Sequence, residues 1–444
     1  MTATREHLTN AAREVAERVG YLLRSPVETS AAARRWRSAA AGGGWDPASY
    51  LTGHTGIATL HAALDQTDDP GWAKFAHAHL AIAAAEADQA TAGDLLFPAR
   101  MQAATRGGYR RLLKTSARVL ASCAVANVGR LETQRRGTPG LAAMDYDTIS
   151  GLARQGRLLL LADDHPGCAA ALEQVLSCLV RITQPIQIAG RGVPGWWCSP
   201  DRYPIPDTQS KYPQGDFNLG AAHGICGPLS LLALAFLAGH RLPGHRDAIR
   251  RTADWIVGKT LTAGGAISWP ARVAYEQETQ TAELPTPPAQ SGWCYGTAGI
   301  ARALYLAGEV LEDQSLAELA TTAIRVTTSM ARVLPDLRGP TLCHGRAGVL
   351  LSAVRMAAAT GDTRLWQETD GLARHLIDEF SPDEAHFGFR HHVVIDESLH
   401  HVDEPGLLEG AAGVALTLLT YANVREERSN PHPTLPWDAG LLLS

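Results

Sequence analysis

Residues 341–350 read TLCHGRAGVL, and the pattern inside them decides how the chain folds. Gly345 and Gly348 stand ahead of an apolar run, with Cys343 and His344 side by side just before them. Neighbouring side chains on a helix point about 100° apart and rarely converge. A loop entering a helix can turn both toward one point. Glycines permit such an entry, because they allow close backbone approach and unusual dihedrals.

The same G-x-x-G spacing ahead of an apolar run returns along the chain. It occurs at Gly53 and Gly56 in TGHTGIATLHAAL (52–64) and at Gly224 and Gly227 in HGICGPLSLLAL (223–234). It occurs again at Gly296 and Gly299 in YGTAGIARALYL (295–306) and at Gly410 and Gly413 in EGAAGVALTLL (409–419). Two further copies are degraded. SGLARQGRLLLL (150–161) keeps Gly151 but has Arg154 for the second glycine, and GDLLFPARMQAATRGG (93–108) fills its interval without the pair. Between the copies lie stretches such as HRDAIRRTADWIVGKTL (245–261) and QSLAELATTAIRVTTSMARVL (314–334), whose apolar residues recur at i, i+3, i+4 and i+7. The pattern predicts about seven helix pairs, each with an outer amphipathic helix and an inner helix opened by a glycine turn. Repeated helix pairs form an open solenoid or close on themselves. Closure would gather the turns around one centre.

Three Pro- and Gly-rich intervals, 183–218, 262–292 and 381–406, do not fit helices. They contain β-like runs such as GGAISWPARVAY and are expected to be loops with small strand pairs over one face of the helical body. Insertions on one face often border the site of action.

Composition narrows the function. Apolar residues make up 45% and aromatics 6%, a mix that favours helical packing over a β-sandwich. Charged residues are 19% and the net charge is -5, so no polyanion partner is announced. The basic cluster RGGYRRLLK (106–114) fits a solvated helix face, and no nucleic-acid binding is expected. The first residues carry recurring charges rather than a signal-peptide core, and no run reaches the ~20 apolar residues of a membrane span. A cytoplasmic protein is expected, touching membrane only through partners.

Seven cysteines at 123, 168, 178, 198, 226, 294 and 343 show no disulfide framework. Most, including Cys198 and Cys226, are expected to be small buried hydrophobes. Three glycine turns carry polar or sulfur-bearing residues at their start: His223, Cys294 with Tyr295, and Cys343 with His344. If the turns converge, two thiolates and an imidazole suit Zn2+, and three protein ligands leave a position open for chemistry. Spacing alone leaves this beside the plainer alternative that scattered cysteines and a lone histidine belong to the core. The histidines of RHHV (390–393) and LHHVDE (399–404) are read as surface or lid residues of a loop.

HGICG, WCYGTAG and CHGRAG, in that order, resemble the lanthionine synthetase C-like family, which includes the stand-alone cyclases of lantibiotic biosynthesis. WDPASYLTGHTG (45–56), YDTISGL (146–152) and GLLEGAAGVAL (406–416) extend the resemblance over nearly the whole chain. It implies an all-α fold, an α/α toroid of two concentric rings of seven helices, as one domain over residues 1–444. It implies Zn2+ held by Cys294, Cys343 and His344, with His223 as acid/base and Asp147 and Tyr295 in the same catalytic group. The implied reaction adds a peptide cysteine thiol to dehydroalanine or dehydrobutyrine, giving a thioether ring. The implied partners are a dehydrated precursor peptide with leader and core, a separate dehydratase, and a transporter in a membrane-associated complex.

One position departs from the family. Gln290 stands four residues before Cys294, where the family often has an arginine, and the absence of a fixed cation there puts the efficiency or the exact substrate in doubt. Asp147 is left with two roles, orienting His223 or taking the thiol proton. Two other functions compete: addition of glutathione or another thiol without ring closure, and a non-catalytic zinc-stabilised scaffold that binds modified peptides. An α/α-barrel glycosidase finds no acidic pair in the glycine turns.

Overall fold

The computed structural model describes residues 2–39, 45–65, 71–282, 285, 288–395, 398–426 and 437–444. Parts of the second and third predicted loop intervals (residues 283, 284, 286, 287, 396 and 397) lie outside the described residues. The chain is mostly helical and divides into two compact units, Met1–Val119 with Thr328–Trp437 and Leu120–Thr327 with Asp438–Ser444.

In the first unit the glycine-turn helices are His54–Leu64, Arg346–Thr360 and Ala411–Arg425, and the degraded copy forms Leu96–Arg106. Every residue of His54–Leu64 is buried, which is why this segment reads as apolar on all sides. Arg346–Thr360 packs on Ala411–Arg425, which packs on His54–Leu64, which packs on Leu96–Arg106. Amphipathic helices cover them. Thr363–Asp378 buries only Leu365, Thr369, Leu372, Ala373 and Leu376, one stripe at helical spacing, and begins at Asp362, whose carboxylate accepts from the amides of Arg364 and Leu365.

The second unit repeats the scheme with three glycine-turn helices, Leu152–Leu161, Cys226–Leu237 and Thr297–Leu311. The first packs on the second and the second on the third, with Cys168–Ile182 and His245–Val257 as amphipathic neighbours. Among the described residues, seven helices thus occupy the seven predicted repeat positions.

The glycines serve closeness rather than dihedral freedom. Gly296 and Gly345 have extended backbones, φ -118 and -113, that any residue adopts. A Cβ at Gly296 would fall 2.5 Å from the backbone carbon of Gln290, and one at Gly345 would fall 2.4 Å from the Thr341 carbonyl oxygen. The expectation of unusual dihedrals at these two turns is corrected on this point.

Each predicted loop interval carries short strands. Ile186–Ile188 pairs with Arg191–Val193, Leu261–Ala263 with Ala266–Ser268, and Asp216–Asn218 with Arg272–Ala274, all antiparallel. In the first unit His391–Ile395 pairs with Ser398–Val402. Among the described residues, no helix is long and apolar enough to cross a membrane.

Candidate functional site

In the second unit, backbone hydrogen bonds stitch three turns together. The Thr148 amide donates to the Ala222 carbonyl at 3.0 Å, and the Ala222 amide donates to the Cys294 carbonyl at 3.0 Å. Asp147, His223 and the Cys294–Tyr295 pair are therefore brought side by side from segments far apart in sequence.

Asp147 is wholly buried. Its Oδ1 accepts from the amides of Ile149 (3.1 Å), Ser150 (2.8 Å) and Gly151 (2.7 Å). Its Oδ2 lies 2.6 Å from His223 Nδ1. Both oxygens are thus occupied, and the carboxylate fixes the Nδ1–H tautomer of the imidazole. Of the two roles left open for Asp147, this contact is the one that orienting His223 requires. The His223 side chain is 40% exposed, so Nε2 remains for proton exchange with a ligand.

The Tyr295 ring lies 6.1 Å from that of His223, and burial raises the tyrosine pKa. Beyond it stands a pair that sequence reasoning missed. Arg272 Nη1 meets Asp216 Oδ2 at 2.5 Å, and the guanidinium lies 5.9 Å from the Tyr295 ring centroid. Burial opposes the charge on Arg272, but Asp216 and Tyr295 outweigh it and raise its pKa. No local motif marks this arginine. Strand pairing sets it opposite Asn218, at the entry to the His223 turn. Gln290 is exposed. The fixed cation beside Tyr295 comes from a strand, not from the position where family resemblance points.

Cys226, in the same unit, is fully buried, and burial raises its pKa. Cys198 is buried too, its thiol pushed up to about 12. Both match the expected inert core thiol. Cys294 is buried at the head of its helix.

In the first unit the Cys343 amide donates to the Leu408 carbonyl at 2.9 Å, and the Leu407 and Leu408 amides donate to the Leu51 carbonyl. Cys343 and His344, both half-buried, thus lie against the segment that carries Glu409. None of the seven cysteines is in a disulfide, so Cys343 presents a thiol beside the His344 imidazole in this unit, as Cys294 presents one in the other, and thiolate sulfur and imidazole nitrogen are the donor types that suit Zn2+.

The late histidines require a correction. Across RHHV and LHHVDE, His391–Ile395 pairs with Ser398–Val402, and His391 is only 6% exposed although Leu399, near the other end of the hairpin, is 54% exposed. His391 opens the strand at its anchored end, where its ring packs against His344 at 5.4 Å between centroids.

Comparison with known proteins bears on the family and the fold. The family described as "Lanthionine synthetase C-like protein" matches residues 44–435. The curated protein "Nisin biosynthesis protein NisC" of Lactococcus lactis subsp. lactis is 22% identical over 282 residues, 62% of this chain and 61% of that protein's length. The solved structure "Nisin cyclase" superimposes with a TM-score of 0.74 at 17% identity, covering 94% of this chain and 97% of that one. The likeness shows the fold, and it bears out the expected α/α toroid.

Proposed function

Because the chain belongs to the lanthionine synthetase C-like family, we propose that it is a cyclase that closes thioether rings in a dehydrated precursor peptide. The observation that carries this reading is the contact at 2.6 Å between buried Asp147 and part-exposed His223, beside Tyr295 and the turn of Cys294. In this proposal residues 1–444 act as one domain, and Cys294, Cys343 and His344 together hold Zn2+.

The chemistry demands such parts. The nucleophile is a cysteine thiolate, yet a free thiol has a pKa near ~8.5 and is mostly protonated at neutral pH. Bound Zn2+ supplies a Lewis acid that favours the thiolate of an incoming substrate cysteine. Two cysteine thiolates among the ligands offset the metal's charge, which keeps the substrate sulfur nucleophilic. Sulfur then bonds to the β-carbon of dehydroalanine or dehydrobutyrine, and the double-bond electrons move onto the carbonyl as an enolate.

The α-carbon must next take a proton. His223 Nε2, with Nδ1 held by Asp147, is the donor in this mechanism. In this mechanism the guanidinium of Arg272, 5.9 Å from the Tyr295 ring centroid, is the fixed cation available to an enolate that forms on that side. The partners under this proposal are a precursor peptide of leader and core, a separate dehydratase and, through them, a transporter at the membrane, with the protein itself cytoplasmic.

The test is incubation of zinc-loaded protein with its dehydrated peptide, followed by alkylation and a count of the thiols that escape. Loss of alkylatable thiols is the expected result, and thiols that stay fully alkylatable would sink the proposal. The variants His223→Ala and Cys343→Ala should both be inactive, but only the second should lose zinc by elemental analysis.

A further inference from the structure

Donor atoms of His344, His391 and Glu409 all lie within 4.8 Å of one another, inside the first unit. No motif announces the set, because three segments supply it: a glycine turn, a hairpin root and the turn before Ala411–Arg425. The backbone fixes these segments against one another. The Cys343 amide donates to the Leu408 carbonyl at 2.9 Å, so His344 and Glu409 each follow directly on a shared contact. His391 pairs with Val402 at the root of its hairpin, and beside them Arg390 meets Asp403 at 3.7 Å. The Ala411 amide donates to the Glu404 carbonyl at 2.9 Å, which ties that root to the helix after Glu409. On the other side, a Cβ at Gly339 would fall 2.9 Å from the His392 ring, and the Gly339 carbonyl accepts from the Arg346 amide at 3.1 Å. The hairpin thus leans on the turn that carries His344.

Burial sets His391 apart from the other histidines of its hairpin. His400 and His401 are exposed, whereas His391 is buried with its ring 5.4 Å from that of His344. Two neutral imidazoles and one carboxylate are a donor set of transition-metal sites that keep open positions, and the carboxylate offsets half the charge of a divalent ion. Ligand atoms about 2.1 Å from a tetrahedral metal stand roughly 3.4 Å apart. Rotations of the half-buried His344 and Glu409 side chains are therefore what closing the set around an ion requires. Neither cysteine sulfur belongs to this group.

We propose that His344, His391 and Glu409 form a metal site of their own, holding a divalent transition-metal ion without sulfur and leaving positions open for water or the oxygen atoms of a ligand. Mixed nitrogen and oxygen donors accept Mn2+ and Co2+ as well as Zn2+, whereas a pair of thiolates favours softer ions such as Zn2+. The inference goes beyond the function proposed above and shares only His344 with it.

The test uses the full chain, stripped of metal and carrying Cys294→Ser and Cys343→Ser, titrated with Co2+. One equivalent is expected to bind, with ligand-field bands in the visible and no sulfur charge-transfer band. His391→Ala or Glu409→Gln in that background should weaken binding by about a hundredfold or more. No cobalt bound by a protein of unchanged circular dichroism would overturn the inference, as would binding that ignores the loss of His391. If the cysteine changes disturb folding, Mn2+ titrated into the metal-free unaltered chain replaces them, followed by loss of the free ion's paramagnetic resonance signal. His391→Ala must weaken that binding, and equal affinity in the two proteins would overturn the inference. The unaltered chain with Co2+ reads the thiolate site separately: absence of a sulfur charge-transfer band would sink that site and leave this one standing.

Discussion

Asp147 shows how little freedom the site leaves its acid/base group. Three backbone amides grip one carboxylate oxygen and His223 takes the other. Replacing it with asparagine keeps the shape but presents a neutral amide to Nδ1, which permits the wrong tautomer. Asp147→Asn is expected to lower the single-turnover cyclisation rate by about 10²–10⁴-fold while zinc content stays unchanged. An equal loss of zinc and activity would place Asp147 in the metal site instead. His223, Cys294, Tyr295, Cys343 and His344 were legible as candidates because they stand at glycine turns with a repeating signature, whereas Asp147 was legible only through the resemblance carried by YDTISGL. Arg272 and His391 were not, since strand pairing and a hairpin root bring them in, and neither leaves a periodic mark.

At the scale of elements, the glycine-turn helix His54–Leu64 carries an unadvertised burden of histidine. His54 Nδ1 and His79 Nδ1 lie 2.9 Å apart, and His61 Nε2 donates to the Gly20 carbonyl at 2.8 Å. Burial is the main cause that lowers the pKa of His54 and of His61 to about 4. A ring whose folded value lies below its unfolded value near 6.5 leaves the fold unpenalised above that pH, and stability is lost as pH falls from 6.5 toward 4. By pH 4 each ring costs on the order of 3 kcal/mol. The urea midpoint should therefore fall steadily between pH 7 and pH 4.5, and more shallowly in His61→Phe, whose ring cannot charge. Identical slopes in the two proteins would remove His61 as the cause. The helix itself was readable from its G-x-x-G entry and apolar run. Its histidines were not, because a short motif gives no sign of which polar side chains will face a neighbouring helix.

At the scale of the whole molecule, the chain's last residues belong to a different unit from those just before them. Trp437 closes the first unit, its indole Nε1 donating to Thr420 Oγ1 at 2.8 Å and its carbonyl accepting from the Tyr50 hydroxyl. The next seven residues join the second unit. There the buried side chains of Arg157 and Arg302 donate to the main-chain oxygens of Ser444 and Leu443. Removing residues 438–444 takes those acceptors from two buried guanidinium groups, so a loss of about 2–5 kcal/mol and a lower melting temperature are expected. An unchanged thermal midpoint would show that the tail is dispensable. The discontinuity also governs the order in which the protein can mature on the ribosome. The second unit is nearly contiguous, but the first must wait for its own far end. The helix Thr2–Leu22, which buries Leu8, Val15 and Val19 and packs on Thr363–Asp378 and Ala411–Arg425, emerges hundreds of residues before its partners. At about 5–20 residues per second, the stretch from 120 to 327 alone takes roughly 10–40 s to synthesise. Throughout that interval the helix has only its early neighbours, such as His61 on the Gly20 carbonyl, and the face meant for Thr363–Asp378 and Ala411–Arg425 waits, which is where chaperones have their longest opportunity.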